Sequence, residues 1–240
     1  MDRSILSRPA PEPDTTVRYG AAPEHVADAW LPATTGKPLV VFVHGGFWRA
    51  SYDRTHTRPL CAALRAAGWA VAAIEYRRDA GRPDHYTDDV RAALSEVPGR
   101  LPGEGIVLAG HSAGGQLALW AASACAPPGL AGTLGLAPVA DLLAADEEHL
   151  GGGAVRDFLG GSATTRPDLD PVRMKPPASP VVLVHGADDT GVPPAQSRSY
   201  VEAHPDARLV LLPGMAHFEL IDPDSPAWPS VLAELEGLAP

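Results

Sequence analysis

The stretch GIVLAGHSAGGQLALWAASACA, residues 105–126, decides how the chain is read. It opens on an apolar run of the kind a buried strand carries. It breaks at Gly110-His111-Ser112-Ala113-Gly114 and resumes with the apolar, Ala-rich character of a helix. A strand that passes straight into a helix through GxSxG carries its serine on a sharp, strained turn. Gly110 and Gly114 leave room there, because side chains at those positions would collide with neighbouring backbone. Ser112 Oγ then stands at a helix N-terminus, where developing negative charge is favoured. A dinucleotide loop would need a glycine where this chain has Ser112, so GHSAGG does not fit GxGxxG.

Outward from this turn, strand and helix signals alternate. Residues 38–44 (PLVVFVH) form a short apolar run that ends in glycines. Residues 58–68 have helical spacing and stop at Gly68, and residues 69–77 read as strand again. Residues 86–97 read as a helix that Thr87 caps, with two aspartates in its first turn. Further strands are expected over 132–138, 179–189 and 207–214, and helices over 193–204 and 226–238. Residues 16–20 and 26–32 are weaker strand candidates, and residues 1–14, polar and Pro-rich, read as a loose arm. This rhythm implies an α/β fold: a mostly parallel sheet with helices on both faces. Residues 139–178 interrupt it. They are acidic, then Gly-rich at Gly151 to Gly153, then Pro-rich, and too long for a plain connection. We expect one domain over 1–240, with 139–178 as an inserted cap over the strand ends.

Composition narrows the function. The 240 residues are 45% hydrophobic and 20% charged, with a formal net charge of −10 and no long basic run, which sets nucleic-acid binding aside. Cys61 and Cys125 make neither a disulfide framework nor a metal motif and read as small buried hydrophobes. The N-terminus lacks an apolar signal core and no run is long enough to span a bilayer, so the expected protein is soluble and cytoplasmic, without membrane association. No metal or cofactor is called for.

In open parallel sheets, ligands bind beyond the carboxyl ends of the strands. Those ends carry His44-Gly45-Gly46, Ser112, the pair Asp188-Asp189 and His217. A serine hydroxyl needs a base to become a nucleophile. His217, after the last strand, can supply one, and either aspartate can orient it. The tetrahedral intermediate of such a reaction needs preorganised N–H donors, and the residue after the nucleophile, Ala113, offers one.

With Ser112, an acid and His217 in this chain order, the sequence from about Pro38 onward resembles the α/β-hydrolase superfamily. The resemblance implies the α/β-hydrolase fold and a serine hydrolase without cofactor. The family pattern HGxxDxxVP, laid on His185-Gly186, selects Asp189 rather than Asp188, with Val192-Pro193 completing the match. It gives Ser112, His217 and Asp189 the roles of nucleophile, general base and orienting acid. It places the remaining oxyanion donors at His44-Gly45-Gly46-Phe47, on the N–H groups of Gly46 and Phe47. Phe47 departs from the third glycine of the family's HGGG. His111 and His185 are assigned to loop hydrogen bonding, while His25, His56, His85, His149 and His204 are expected at the surface.

HGGFW, the EYR at 75–77, GHSAG, HGxxD and a late histidine are similar to two subgroups. One is the kynurenine formamidase (arylformamidase) type, which hydrolyses N-formylkynurenine; the other is a group of small carboxylesterases. HGGFW leans toward the formamidase type, with Phe47 and Trp48 as an aromatic wall for substrate. Glu75 and Arg77 are expected to brace loops. The expected substrate is a small-molecule ester or aryl formamide. A thioesterase is a second reading and a non-catalytic small-molecule receptor a third. The intact Ser112, Asp189 and His217 argue against the receptor.

Overall fold

In this computed structural model, which describes residues 2–34 and 36–239, eight strands form one sheet. They are β1 (Thr15–Arg18), β2 (Val26–Trp30), β3 (Leu39–Val43), β4 (Val71–Ile74), β5 (Ile106–His111), β6 (Leu130–Leu136), β7 (Val181–Gly186) and β8 (Arg208–Leu212). Their spatial order is β1-β2-β4-β3-β5-β6-β7-β8. The two weak candidates make an antiparallel edge, β1 on β2 and β2 on β4. Every other neighbouring pair is parallel. The mostly parallel sheet expected from the strand–helix rhythm is therefore present.

The continuous apolar runs follow from cover on both faces. Along β3 all five residues are buried and the side chains alternate between two cores. Leu39, Val41 and Val43 join residues of α2 (Pro83–Glu96) and α3 (Ala113–Ala124). Val40 and Phe42 face the other way, with Leu60 and Leu64 of α1 (Arg58–Ala66) and Val231 and Leu235 of α7 (Trp228–Glu236). Each such side chain contributes roughly 1.5–3 kcal/mol by leaving water. Cys61 lies in this second core, where burial pushes its thiol up to about 12.

Residues 139–178 run between β6 and β7 and hold α4 (Leu142–Glu147) and α5 (Leu150–Leu159), followed by three short 3-10 turns. Gly151, Gly152 and Gly153 all have positive φ and coil the start of α5 left-handed before the regular turn from Ala154. Buried Asp170 accepts the backbone N–H of Leu142 at 3.0 Å and Arg173 Nε at 2.7 Å, closing this segment on itself. The remaining helix, α6 (Ala195–Ala203), packs Tyr200 against Leu119 and Leu183.

The structure corrects three expectations. Residues 2–14 are not a loose arm. Ser4–Ser7 form a 3-10 turn that buries Ile5 in the second core. Arg8 forks onto Asp222, 2.7 Å on one branch, and reaches Asp224 at 2.8 Å. Helix α2 starts at Pro83, not at Thr87. Proline is pre-set for the first turn, and Thr87 bonds back to Asp84 O from inside the helix. His56 and His204 are buried rather than at the surface. Among the described residues, no helix is long and apolar enough to cross a membrane.

Candidate active site

The GHSAG turn is built by backbone crowding. Ser112 sits at φ 57° and ψ −122°, a conformation L-residues avoid, between the end of β5 and the first residue of α3. Its N–H donates to Leu136 O at 2.9 Å, and its carbonyl accepts from Gln116 N at 3.1 Å. A Cβ on Gly114 would land inside the envelope of Val43 O and His44 O, so only glycine lets α3 approach β3 this closely. Ala113 follows as the first helical residue, where backbone N–H groups have no intrahelical acceptor.

Across the sheet, the loop after β3 has three consecutive positive φ angles: Gly46 at 119°, Phe47 at 50° and Trp48 at 57°. For Phe47 and Trp48 this conformation costs about 1 kcal/mol or more each. It persists because the loop is held from several sides. Trp48 stacks on Phe158 of α5 with ring centroids 4.6 Å apart and donates Nε1–H to Gln116 Oε1 at 3.1 Å. Tyr86 Oη donates to Trp48 O at 3.1 Å. His44 lies between two acceptors, Gly45 O at 2.8 Å from Nδ1 and Glu75 Oε1 at 3.0 Å from Nε2. With its carbonyl held by His44, the trans Gly45–Gly46 peptide turns its N–H the opposite way. Burial would raise the Glu75 carboxyl, but His44, Arg78 and the Arg54 N–H hold it down to about 2.

The third component comes from the loops after β7 and β8. Asp189, not Asp188, meets His217: Nδ1–H donates to Asp189 Oδ2 at 2.6 Å, while Asp188 is exposed. The other carboxylate oxygen accepts N–H groups from Gly191 at 2.8 Å and Val192 at 2.9 Å. Burial opposes the charge on Asp189, but His185, His217 and the Val192 N–H together hold its pKa well below the usual carboxylate range. With Nδ1 committed to Asp189, the free acceptor of a neutral His217 is Nε2.

Ser112, His217, Gly46 and Phe47 line one cavity of about 320 Å³. Among the described residues no hydrogen bond joins Ser112 Oγ to His217. In unliganded sites such bonds are often long and tighten only around substrate. His111 also lines the cavity and donates Nε2–H to His217 O at 3.1 Å. Burial keeps it neutral, well below the ordinary histidine value. His185 bonds Ser197 Oγ at 2.7 Å and Val192 O at 2.9 Å. Glu75 and Arg77 brace loops, Arg77 through Asp89.

Trp48 is placed differently from the expected aromatic wall. It is 3% exposed, belongs to the core and does not line the cavity, whereas Phe47 does. Three contributors were not foreseen. Gln116 ties Trp48 to Leu169 O at 2.8 Å; an amide one turn after Ser112 in a largely apolar helix was the available signal. His56 lines the cavity and is pushed down to about 4 by burial, so it is uncharged near neutrality. The arm contributes Arg3 and Leu6 to the cavity wall. No group of three or more His, Cys, Asp or Glu side chains that could hold a metal forms among the described residues.

Comparison with known proteins points to the same fold. Residues 27–136 match the BD-FAE family, and residues 90–207 match the prolyl oligopeptidase family. The esterase LipC of Mycobacterium tuberculosis is 27% identical over 86% of this chain and 60% of its own. The kynurenine formamidase of Salmo salar is 31% identical over 42% of this chain and 36% of its own. A solved structure from a Silicibacter species, provisionally assigned as a thioesterase, superposes with a TM-score of 0.76 at 27% identity, covering 91% of this chain and 86% of that one. The chain spans between 26% and 65% of the length of the first curated esterases and hydrolases it matches. A parallel sheet with a strained serine between strand and helix, and an Asp–His pair beyond later strands, defines a class. The chain belongs to the α/β-hydrolase superfamily and is related to its serine esterases.

Proposed function

We propose that this chain is a serine hydrolase that cleaves small esters or aryl formamides through an acyl-enzyme on Ser112. The observation that carries the reading is the 2.6 Å Asp189–His217 hydrogen bond behind a cavity onto which strained Ser112 also opens. In this reading His217 Nε2 takes the Ser112 proton as Oγ attacks the carbonyl carbon. Asp189 fixes the tautomer and stabilises the imidazolium that forms. The oxyanion is received by the N–H groups of Ala113, Gly46 and Phe47. His217 then returns the proton to the departing alcohol or amine. Water, activated by the same histidine, releases the acid and regenerates Ser112. Residues 139–178 act as a cap: Gly151 lines the cavity, and Phe158 holds the oxyanion loop through Trp48.

The formamide within this class is supported by the similarity to the salmon kynurenine formamidase. Thioesters are a second reading, favoured by the structural likeness to the protein assigned as a thioesterase. Labelling with a fluorophosphonate probe tests the hydrolase itself. Wild type should label and Ser112→Ala should not. Asp189→Asn should slow labelling by orders of magnitude, about 10⁴-fold by analogy with other triads, and Asp188→Asn should leave it nearly unchanged. Equal labelling of wild type and Ser112→Ala contradicts the proposal. Rates on N-formylkynurenine beside aryl acetates and acyl thioesters then rank the substrates.

A further inference from the structure

The cavity in front of Ser112 carries a charge pattern the acyl-transfer chemistry does not use. Its lining includes two arginines, Arg3 and Arg49, and no aspartate or glutamate. In a chain of net charge −10 this is a local inversion of sign. Neither guanidinium is paired with a carboxylate among the described residues. Arg3 donates to Tyr52 Oη and lies 5.8 Å from the Phe218 ring centroid, and Arg49 donates to Gly151 O. Those contacts fix both heads and leave donors free, since each guanidinium has five. The nearby acids are committed elsewhere. Asp2 accepts from Ser4, Asp222 from Arg8, and Asp2, Glu219 and Asp222 line a separate, smaller cleft. His56, uncharged near neutrality, adds no charge of its own.

The position of Arg3 also tells which part of a substrate it would meet. His217 protonates the leaving group, so the leaving group lies on the His217 side of the cavity. Phe218 follows His217 directly, their rings are 5.1 Å apart, and Arg3 stands over Phe218. The other walls, Phe47, Tyr52 and Phe218, are aromatic. We propose that Arg3 and Arg49 form a clamp for a carboxylate on an aromatic leaving group, which makes the N-terminal arm part of the specificity site. This rests on the hydrolase reading for the direction of the leaving group. Guanidinium–carboxylate pairs are the strong, directional members of their class. Both arginines are exposed, which limits the gain to about tenfold in affinity.

Binding and turnover separate the two ideas. Calorimetric titration with meta-hydroxybenzoate and with its uncharged isostere meta-hydroxybenzamide reads the clamp without any reaction. Wild type should bind the carboxylate about tenfold more tightly. Arg3→Gln and Arg49→Gln should each erode that ratio, the double variant should bring it to about one, and lysine at both positions should restore part of it. The ratio of kcat/KM for meta-carboxyphenyl acetate over meta-carbamoylphenyl acetate should follow the same order. A wild-type binding ratio near one overturns the clamp, as does a ratio that survives in a double variant with unchanged Tm. Selective carboxylate binding without turnover of either ester, and without fluorophosphonate labelling, supports the clamp and removes the hydrolase reading instead.

Discussion

Two loops face each other across the cavity, and they store backbone strain differently. The GHSAG turn holds its strain at one residue, Ser112, through contacts within a few residues and with the adjoining strands. The HGGFW loop spreads its strain over Gly46, Phe47 and Trp48 and is held by side chains from far along the chain: Glu75, Tyr86, Gln116 and Phe158. The first device is local, so a five-residue motif announces it. The second is assembled by the fold, so the motif announces the glycines but not what keeps the aromatics in place.

The contrast can be broken by mutation, and the largest effect belongs to the local loop. Gly114→Ala drives a Cβ into the Val43 and His44 carbonyls. Neither backbone can yield without parting α3 from β3, so we expect a loss of more than about 4 kcal/mol, read as a drop in Tm with loss of activity. Trp48→Ala should cost about 3–5 kcal/mol by denaturant unfolding. It should also lower kcat more than it raises KM, because it frees a loop and touches no substrate. A change in KM alone would return Trp48 to the substrate wall.

Glu75→Gln gives the smallest effect and the most specific signature. The folded carboxyl lies near 2 against an unfolded value of 4.5. A depressed folded pKa contributes stability above the unfolded value and loses it as pH falls through the folded one. The variant should therefore be less stable than wild type by about 3 kcal/mol at neutral pH. The gap should narrow from about pH 4.5 downward. A gap independent of pH would show that Glu75 acts by packing rather than by charge.

Much of the architecture was legible because parallel strands buried on both faces leave continuous apolar runs. That Ser112 and His217 reach one cavity was legible because each follows a parallel strand at the carboxyl edge of the sheet. Asp189 over Asp188 came from a resemblance, and the buried contact with His217 agrees with it. What failed to show depends on remote partners. The arm looked loose because Arg8 meets Asp222 at the far end of the chain and Ile5 finds its pocket only after the sheet is built. Trp48 looked like a substrate wall because the ring that covers it, Phe158, belongs to the segment between β6 and β7. His56 looked like a surface group because nothing in its own short 3-10 turn reveals that Tyr52 and His44 pack around it.

The central claim is that Ser112 carries an acyl group during turnover. Rapid mixing with para-nitrophenyl acetate, followed by acid quench and peptide mass spectrometry, tests it most directly. The account predicts a burst of nitrophenol approaching one equivalent per chain, with acetyl found on the peptide containing Ser112 and absent in Ser112→Ala. Steady hydrolysis without a burst, with no acetyl on that peptide and an unchanged rate in Ser112→Ala, would contradict it.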